Sequence, residues 1–274
     1  MNKVPYLNVD LTIESGQVFL WNKVKGSWYG IEGNSVIKVS RSNNGLDYSS
    51  YPETIDCKRF FGLEDDLHYI YKTISKDAVM KDALSKLVGL RIMRQNPYQC
   101  LISFMCATNT SISMIKRMLT NMSINFGKKI EYDNFEFHGF PEPKELADAS
   151  INELCMCSVG YRAEFIKRAA RAVLDRKIDF DYLKHTNYNN AKKELMDVLG
   201  IGQKVADCIL LFSLEKTDSF PIDVWIARTI MKYYSHMFEE LESEKITPKV
   251  YKKISSRMRE YFGAYAGYAQ QYLY

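Results

Sequence analysis

The chain has 274 residues, 46% hydrophobic and 26% charged, with a formal net charge of +4. That composition supports one large or two modest domains with a real core and excludes a disordered or fibrous chain. No apolar run approaches the roughly 20 residues of a membrane helix, and Met1-Asn2-Lys3-Val4-Pro5 does not lead into an apolar signal segment.

A cytoplasmic protein without a membrane partner is therefore expected. Six cysteines without a secretory leader read as reduced thiols. Cys155-Met156-Cys157 is too closely spaced for the usual metal-binding pair, so no metal or cluster held by cysteine is expected. The mild positive charge permits nucleic-acid binding without requiring it. It is concentrated in residues 161–177, with six Lys or Arg against one Asp and one Glu. Glu239, Glu240, Glu242 and Glu244 form an acidic run expected to face water.

In chain order, Val9, Leu11 and Ile13 alternate with polar residues, which predicts a half-buried strand. Gly16-Gln17 interrupts it, as a bulge or a close backbone approach would. Trp28–Ile31, Val36–Val39 and Leu46–Tyr48 are further short strands, with turn residues at Gly33-Asn34 and Asn43-Asn44-Gly45. After about residue 60 the period becomes helical. Leu67, Ile70, Tyr71 and Ile74 share a face, and Asn96-Pro97 caps a helix through Leu101, Phe104 and Met105. That helix stops near Cys106–Asn109. Ser111 starts the next, with Ile112, Ile115, Leu119 and Met122 inward. Ser150–Glu153 is a capping box. Phe165, Ala169, Val173 and Leu174 give the following helix a core face opposite Arg168 and Arg171. Further helices carry Ile226, Ile230, Met231 and Tyr234, then start at Thr247-Pro248, and an aromatic helix runs from Tyr261 to Tyr274. The expected fold is α+β: a small N-terminal antiparallel sheet domain with flanking helices over 1–88, then a large all-helical domain over 89–274.

The most informative stretch is Leu195 to Ile226. An apolar helix ends at Leu199, Gly200-Ile201-Gly202 form a tight hairpin, and a second helix starts near Gln203 with Lys204 on its first turn. Backbone N–H groups at such a helix start, with the positive end of its dipole, make a phosphate site that needs no base sequence. A tight corner between two helices with no ligand has the same pattern. A positive local field favours the neutral amine, which is a nucleophile able to form a Schiff base; a solvated lysine or a phosphate contact is the plainer alternative. Asp223 is placed to cap the third helix, and as an ionised cap it suits stabilising a developing positive charge.

The same residues, LGIGQKVADCILLF…FPIDVW, resemble the helix-hairpin-helix, Gly/Pro loop and aspartate of the HhH-GPD DNA glycosylase superfamily. Within it they are most similar to the eukaryotic-type 8-oxoguanine DNA glycosylase/AP lyases. Four more segments carry the likeness in order: Glu14–Trp21, Gly89–Asn109, Val159–Ala163 and Tyr265–Gln270. Together they cover nearly the whole chain.

The resemblance implies a bifunctional base-excision enzyme that flips 8-oxoguanine out of duplex DNA. Lys204 would attack C1′ and form the Schiff base that permits β-elimination, with Asp223 stabilising the oxocarbenium-like transition state. Gly16, Pro221, Cys208, Gln270 and Tyr274 would form the base pocket, the Gly16 carbonyl accepting the N7–H that guanine lacks. Cys208 lies four residues after Lys204, on the same helix face. Asn109 would fill the gap in the duplex, Tyr161 would wedge the stack and Arg162 would meet the opposite cytosine. Gly200, Gly202 and Trp225 would lie on DNA. Backbone carbonyls of Met196, Val198 and Ile201 would offer a structural cation site; no cofactor is required. The implied partner is double-stranded DNA containing 8-oxoguanine, bound by a monomer in the cytoplasm at the nucleoid.

Two positions depart from the family pattern. Met114 stands where the eukaryotic enzymes have an arginine on the opposite cytosine, which implies relaxed opposite-base specificity. Trp225 replaces a phosphate-contacting histidine; its indole N–H can donate one hydrogen bond but brings no charge. The short end after the pocket helix and the lack of a nuclear-targeting run point to a prokaryotic member. Competing readings are a helix-hairpin-helix glycosylase for alkylated or mismatched bases, or a non-enzymatic duplex-binding protein. Lys204 argues against the monofunctional alkylbase branch. The iron–sulfur branch needs a cysteine quartet near the C-terminus, whereas the last cysteine here is Cys208.

Overall fold

The computed structural model describes residues 6–42, 45–238 and 246–274. The N-terminal part contains α1 (Val9–Glu14) and four strands, β1 (Trp21–Val24), β2 (Ser27–Glu32), β3 (Ser35–Ser42) and β4 (Gly45–Tyr51). The strands form one antiparallel sheet in the order β1-β2-β3-β4, with Trp28 paired to Val39 and Val36 to Tyr51. Helices α2 (Cys57–Phe60), α3 (Leu67–Ile74), α4 (Ala78–Lys86), α5 (Pro97–Cys106) and α6 (Ile112–Phe126) follow. A small hairpin, β5 (Lys129–Tyr132) and β6 (Phe135–His138), precedes the second helical run: α7 (Pro143–Asp148), α8 (Ile151–Met156), α9 (Arg162–Leu174) and α10 (Phe180–His185). The chain then continues through α11 (Tyr188–Met196), α12 (Gln203–Phe212), α13 (Val224–Tyr233), α14 (Pro248–Phe262) and α15 (Ala266–Leu273). A small antiparallel sheet followed by a large helical part is the α+β architecture that the sequence predicts.

The central strand β2 is buried on both faces: Trp28, Tyr29, Gly30 and Ile31 are consecutive buried residues, which the period-2 pleat sends to opposite sides. Tyr29, Ile31 and Val36 join the large core shared with the helices, while Trp21, Trp28, Ile37 and Val39 pack with Phe60, Phe61 and Met93.

Several expectations are corrected. Val9–Ile13 is helical, not a strand. Asn8 accepts the Leu11 N–H at 3.1 Å as an N-cap. The buried residues are Val9, Thr12 and Ile13, a spacing of three and four that only a helix brings together. Ile112 and Leu174 are exposed; α9 buries Ala163, Ile166 and Ala170 together with the expected Ala169, and Phe165 and Val173 pack partly buried against the core. The helix before the glycine hairpin ends at Met196, three residues short of Leu199. The C-terminal aromatic segment is broken at Gly263, where a 3-10 turn, Gly263–Tyr265, separates α14 from α15. The Asn43-Asn44 turn and the acidic run at Glu239–Glu244 lie outside the described residues. The caps at Asn96, Ser111, Ser150 and Thr247 form as expected.

Candidate active site

The glycine hairpin positions the amine. Gly200 has φ +101°, and a Cβ there would lie 2.7 Å from Phe165 Cβ, so both backbone shape and packing against α9 demand glycine. Gly202, the N-cap of α12, is exposed and has nothing within 4 Å of its would-be Cβ. Its missing side chain leaves the N–H end of α12 open to an outside ligand. One residue into α12, the Lys204 ammonium lies 4.9 Å from the ring centre of Phe104 on α5.

A buried carboxylate fixes the frame. Asp207, fully buried on α12, accepts hydrogen bonds from Tyr188 (2.6 Å), Tyr251 (2.6 Å), Ser219 (3.1 Å) and the Lys192 ammonium (2.7 Å). Tyr251 in turn accepts the Ile222 N–H at 3.2 Å. One group therefore ties α12, which carries Lys204, to α11, α14 and the segment entering α13. At that entry Asp223 caps α13, its Oδ1 accepting the Ile226 N–H at 2.8 Å.

The opposite wall comes from the two ends of the chain. Gln17, fully buried, donates to the carbonyls of Thr12 (3.1 Å) and Arg91 (2.8 Å) and accepts the Met93 N–H at 2.7 Å. Its own carbonyl accepts from Gln95 at 2.7 Å. Gln271 donates to the Ser15 carbonyl at 2.6 Å. These bonds hold Gly16 at φ +78°, beside the Tyr274 ring: a Cβ on Gly16 would stand 3.0 Å from Tyr274 Cε1.

The result is a cavity of about 470 Å3 lined by Gly16, Lys204, Cys208, Pro221, Asp223, Trp225, Gln270 and Tyr274, with Phe19 and Phe104 as apolar walls. All eight of those predicted residues converge there from opposite ends of the sequence. Gln270 Oε1 is buried without a protein hydrogen-bond partner, which is costly unless a ligand supplies a donor. Burial pushes the Cys208 thiol up to about 12, despite the pull of the Lys204 charge. It is an uncharged wall at neutral pH. Burial, and after it the charge of Asp223, also raises the Tyr274 phenol. A larger cleft of about 1000 Å3 is lined by Glu32, Arg59, Arg94 and Lys184. It holds neither Lys204 nor Asp223, and its Arg59, Arg94 and Lys184 are paired with Asp65 or Glu215, so the chemistry is assigned to the smaller cavity.

Asn109, Tyr161 and Arg162 stand outside the cavity but near one another. Arg162 donates to the Thr108 carbonyl, and its guanidinium lies 4.6 Å from the Tyr161 ring centre. Asn109 is exposed with φ +52°, and Tyr161 is exposed. Arg162 is buried, not a solvated charge, and its Nε has no protein partner. Met114 is on the exposed side of α6. The roles of Gln17, Asp207 and Gln271 are invisible to periodicity. Each is a buried polar residue whose partners are distant in sequence, though Gln17 and Gln271 flank residues already singled out.

Comparison with known proteins places the chain in a family. Residues 2–101 match a family profile described as 8-oxoguanine DNA glycosylase, N-terminal domain. Residues 102–256 match HhH-GPD superfamily base excision DNA repair protein. The chain is 29% identical over 286 residues to an N-glycosylase/DNA lyase of Arabidopsis thaliana, spanning 98% of this chain and 76% of that protein. It is 29% identical to a probable N-glycosylase/DNA lyase of Methanothermobacter thermautotrophicus, spanning 97% and 92%. The apo structure of the Clostridium acetobutylicum 8-oxoguanine glycosylase/lyase superposes with a TM-score of 0.87 at 31% identity, covering 97% of this chain and 92% of that one. With a profile match over more than half its length, the chain belongs to the HhH-GPD superfamily of base excision DNA repair proteins.

Proposed function

We propose that this protein is a bifunctional 8-oxoguanine DNA glycosylase and AP lyase acting on duplex DNA. The observation that carries the reading is one cavity lined by an amine on a helix start, a capping carboxylate, Gly16 and an orphaned glutamine acceptor. The fold relatives named for this activity support the substrate.

A base swung into the cavity would lie against the Cys208 thiol and the Tyr274 ring. Gln270 Oε1 would accept from its Watson–Crick edge. The Gly16 carbonyl, which accepts no hydrogen bond among the described residues, would take the N7–H. Guanine would present a lone pair there instead, and an unpaired buried acceptor discriminates strongly. Lys204, as the free amine, attacks C1′ while the glycosidic electron pair leaves with the base. Asp223 has one oxygen on the Ile226 N–H and the other available to the positive charge that develops on the sugar. Loss of the amine proton and opening of the C1′–O4′ bond give the Schiff base, which acidifies the neighbouring C2′–H; β-elimination then breaks the C3′–O bond and the 3′ phosphate leaves with its electron pair.

Asn109, Tyr161 and Arg162 would enter the duplex on the other side, and the unpaired Arg162 Nε suits an outside acceptor. With Met114 on that face, opposite-base specificity would be relaxed. Gly200 and Gly202 would let the strand approach the start of α12. The carbonyls of Met196 and Val198, at and just past the negative end of α11, and of Ile201 in the hairpin would offer a structural cation site. Among the described residues no helix is long and apolar enough to span a membrane, and a DNA substrate would place the protein at the nucleoid.

Borohydride trapping on a duplex containing 8-oxoguanine tests the reading. A covalent adduct lost in Lys204→Gln is expected. Trapping on another lesion alone would change the substrate, and no adduct on any lesion would leave a binding protein.

A further inference from the structure

Helix α13 begins at the cavity, with Asp223 as its cap, and carries Trp225, Arg228 and Lys232 at spacings of three and four. Such spacings put side chains on one helix face. All three residues are exposed. Trp225 also lines the cavity that holds Lys204. The stripe therefore runs outward from the reacting centre.

The Arg228 guanidinium lies 5.2 Å from the centre of the Trp225 ring, and the Lys232 ammonium lies 4.8 Å from that of Tyr233. Neither cation forms an ion pair among the described residues. The carboxylate at this end of α13, Asp223, caps the helix through one oxygen and pairs with neither cation among the described residues. An exposed arginine ordinarily samples many rotamers; an indole face under it cuts that freedom and leaves its five in-plane N–H donors for an oxyanion. A nucleotide that reaches Lys204 from a duplex must be swung out of the stack. The phosphodiesters flanking it are then drawn to the mouth of the cavity, where Trp225 stands.

We propose that Arg228, seated on Trp225, is a positioning residue that binds a phosphodiester of the damaged strand beside the extruded nucleotide, with Lys232 extending the contact along α13. The inference rests on the DNA-repair reading above. Trp225 brings no charge to the cavity mouth, and Arg228 supplies it from one turn further along. The same pair would wall the extruded sugar on one side.

The test is equilibrium binding of the full-length protein to a duplex carrying a tetrahydrofuran abasic analogue, whose C1′ bears no leaving group, over a series of salt concentrations. Arg228→Gln should weaken binding roughly three- to tenfold at moderate salt and lower the slope of log K against log salt by about 1. Arg228→Lys should restore the slope, because the charge returns. Trp225→Ala should keep the wild-type slope while weakening binding, because the charge stays and its seat is lost. A wild-type slope in Arg228→Gln overturns the proposal and leaves the glycosylase reading intact. Failed trapping with Lys204 present overturns that reading irrespective of any salt slope. Both Arg228 variants replace an exposed side chain with another good helix former, so their melting temperatures should match wild type.

Discussion

Asp223 combines a structural bond with a chemical position, and substitution separates the two. Asparagine retains an oxygen for the Ile226 N–H but carries no charge. Asp223→Asn is expected to change stability by less than about 0.5 kcal/mol and to cut single-turnover base release by roughly 100-fold or more, with lesion binding retained. Equal losses of binding and turnover would make the carboxylate a cap and nothing more. Asp223→Ala should add a stability loss of about 1 kcal/mol in denaturant unfolding. Gly16 is constrained differently. Its φ of +78° and the Tyr274 ring 3.0 Å from a would-be Cβ predict that Gly16→Ala costs about 1–2 kcal/mol and displaces Tyr274. A variant as stable as wild type would show that the turn can relax. At the opposite-base face, rates measured with each of the four bases facing 8-oxoguanine should differ modestly. A strong preference for cytosine would mean that Arg162 and Asn109 suffice beside Met114.

Among the elements, α12 matters most, because it carries Lys204 and Cys208 on the cavity side and Asp207 on the buried side. Asp207 holds α11, α14 and the entry to α13 through Tyr188, Lys192, Tyr251 and Ser219. Removing one partner of a buried charged network strands the others. Asp207→Ala is expected to cost about 3–5 kcal/mol, read as a lower melting temperature. The fraction that remains folded should still be trapped by borohydride, because Asp207 does not line the cavity. Loss of trapping in folded protein would show that the network also sets the amine's position. The caps of α13 and α14, Asp223 and Thr247, were legible in the sequence, since a cap depends on residues within about one turn. The nature of α1 was not. Over six residues, Val9, Leu11 and Ile13 satisfy strand alternation, while Val9, Thr12 and Ile13 satisfy a helix, and the contacts of Thr12 with Arg91 and Gln17 decide between them.

For the molecule as a whole, Glu215 joins the two halves. It accepts from Arg59 at 2.8 Å and Lys184 at 2.6 Å, with Arg94 at 3.7 Å. Burial alone would raise its carboxyl, but the hydrogen bonds from Arg59 and Lys184 and the charges of Lys184 and Arg94 hold it at about 2. A carboxyl lower in the folded than in the unfolded state contributes stability above its unfolded value, and that contribution is lost as pH falls. Melting temperature should therefore drop between about pH 4.5 and pH 2, and Glu215→Gln should flatten that part of the profile. An unchanged profile would mean that solvent screening cancels the triad. The β5–β6 hairpin and β1 escaped the sequence reading because four-residue strands carry too little alternation to register.

Local patterns in the chain specify the order of sheet and helices, the capped helix starts, the glycine hairpin with Lys204, and Asp223 at the head of α13. All of these follow from interactions spanning a few residues. Through resemblance, the sequence also nominated the distant partners Gly16, Gln270 and Tyr274. Their convergence on one cavity, the unpaired acceptor that Gln270 presents there and the burial of Arg162 emerge from packing. Convergence and burial are properties of packing between segments more than 200 residues apart, such as Ser15 and Gln271. No local pattern encodes which polar atoms that packing leaves without a partner.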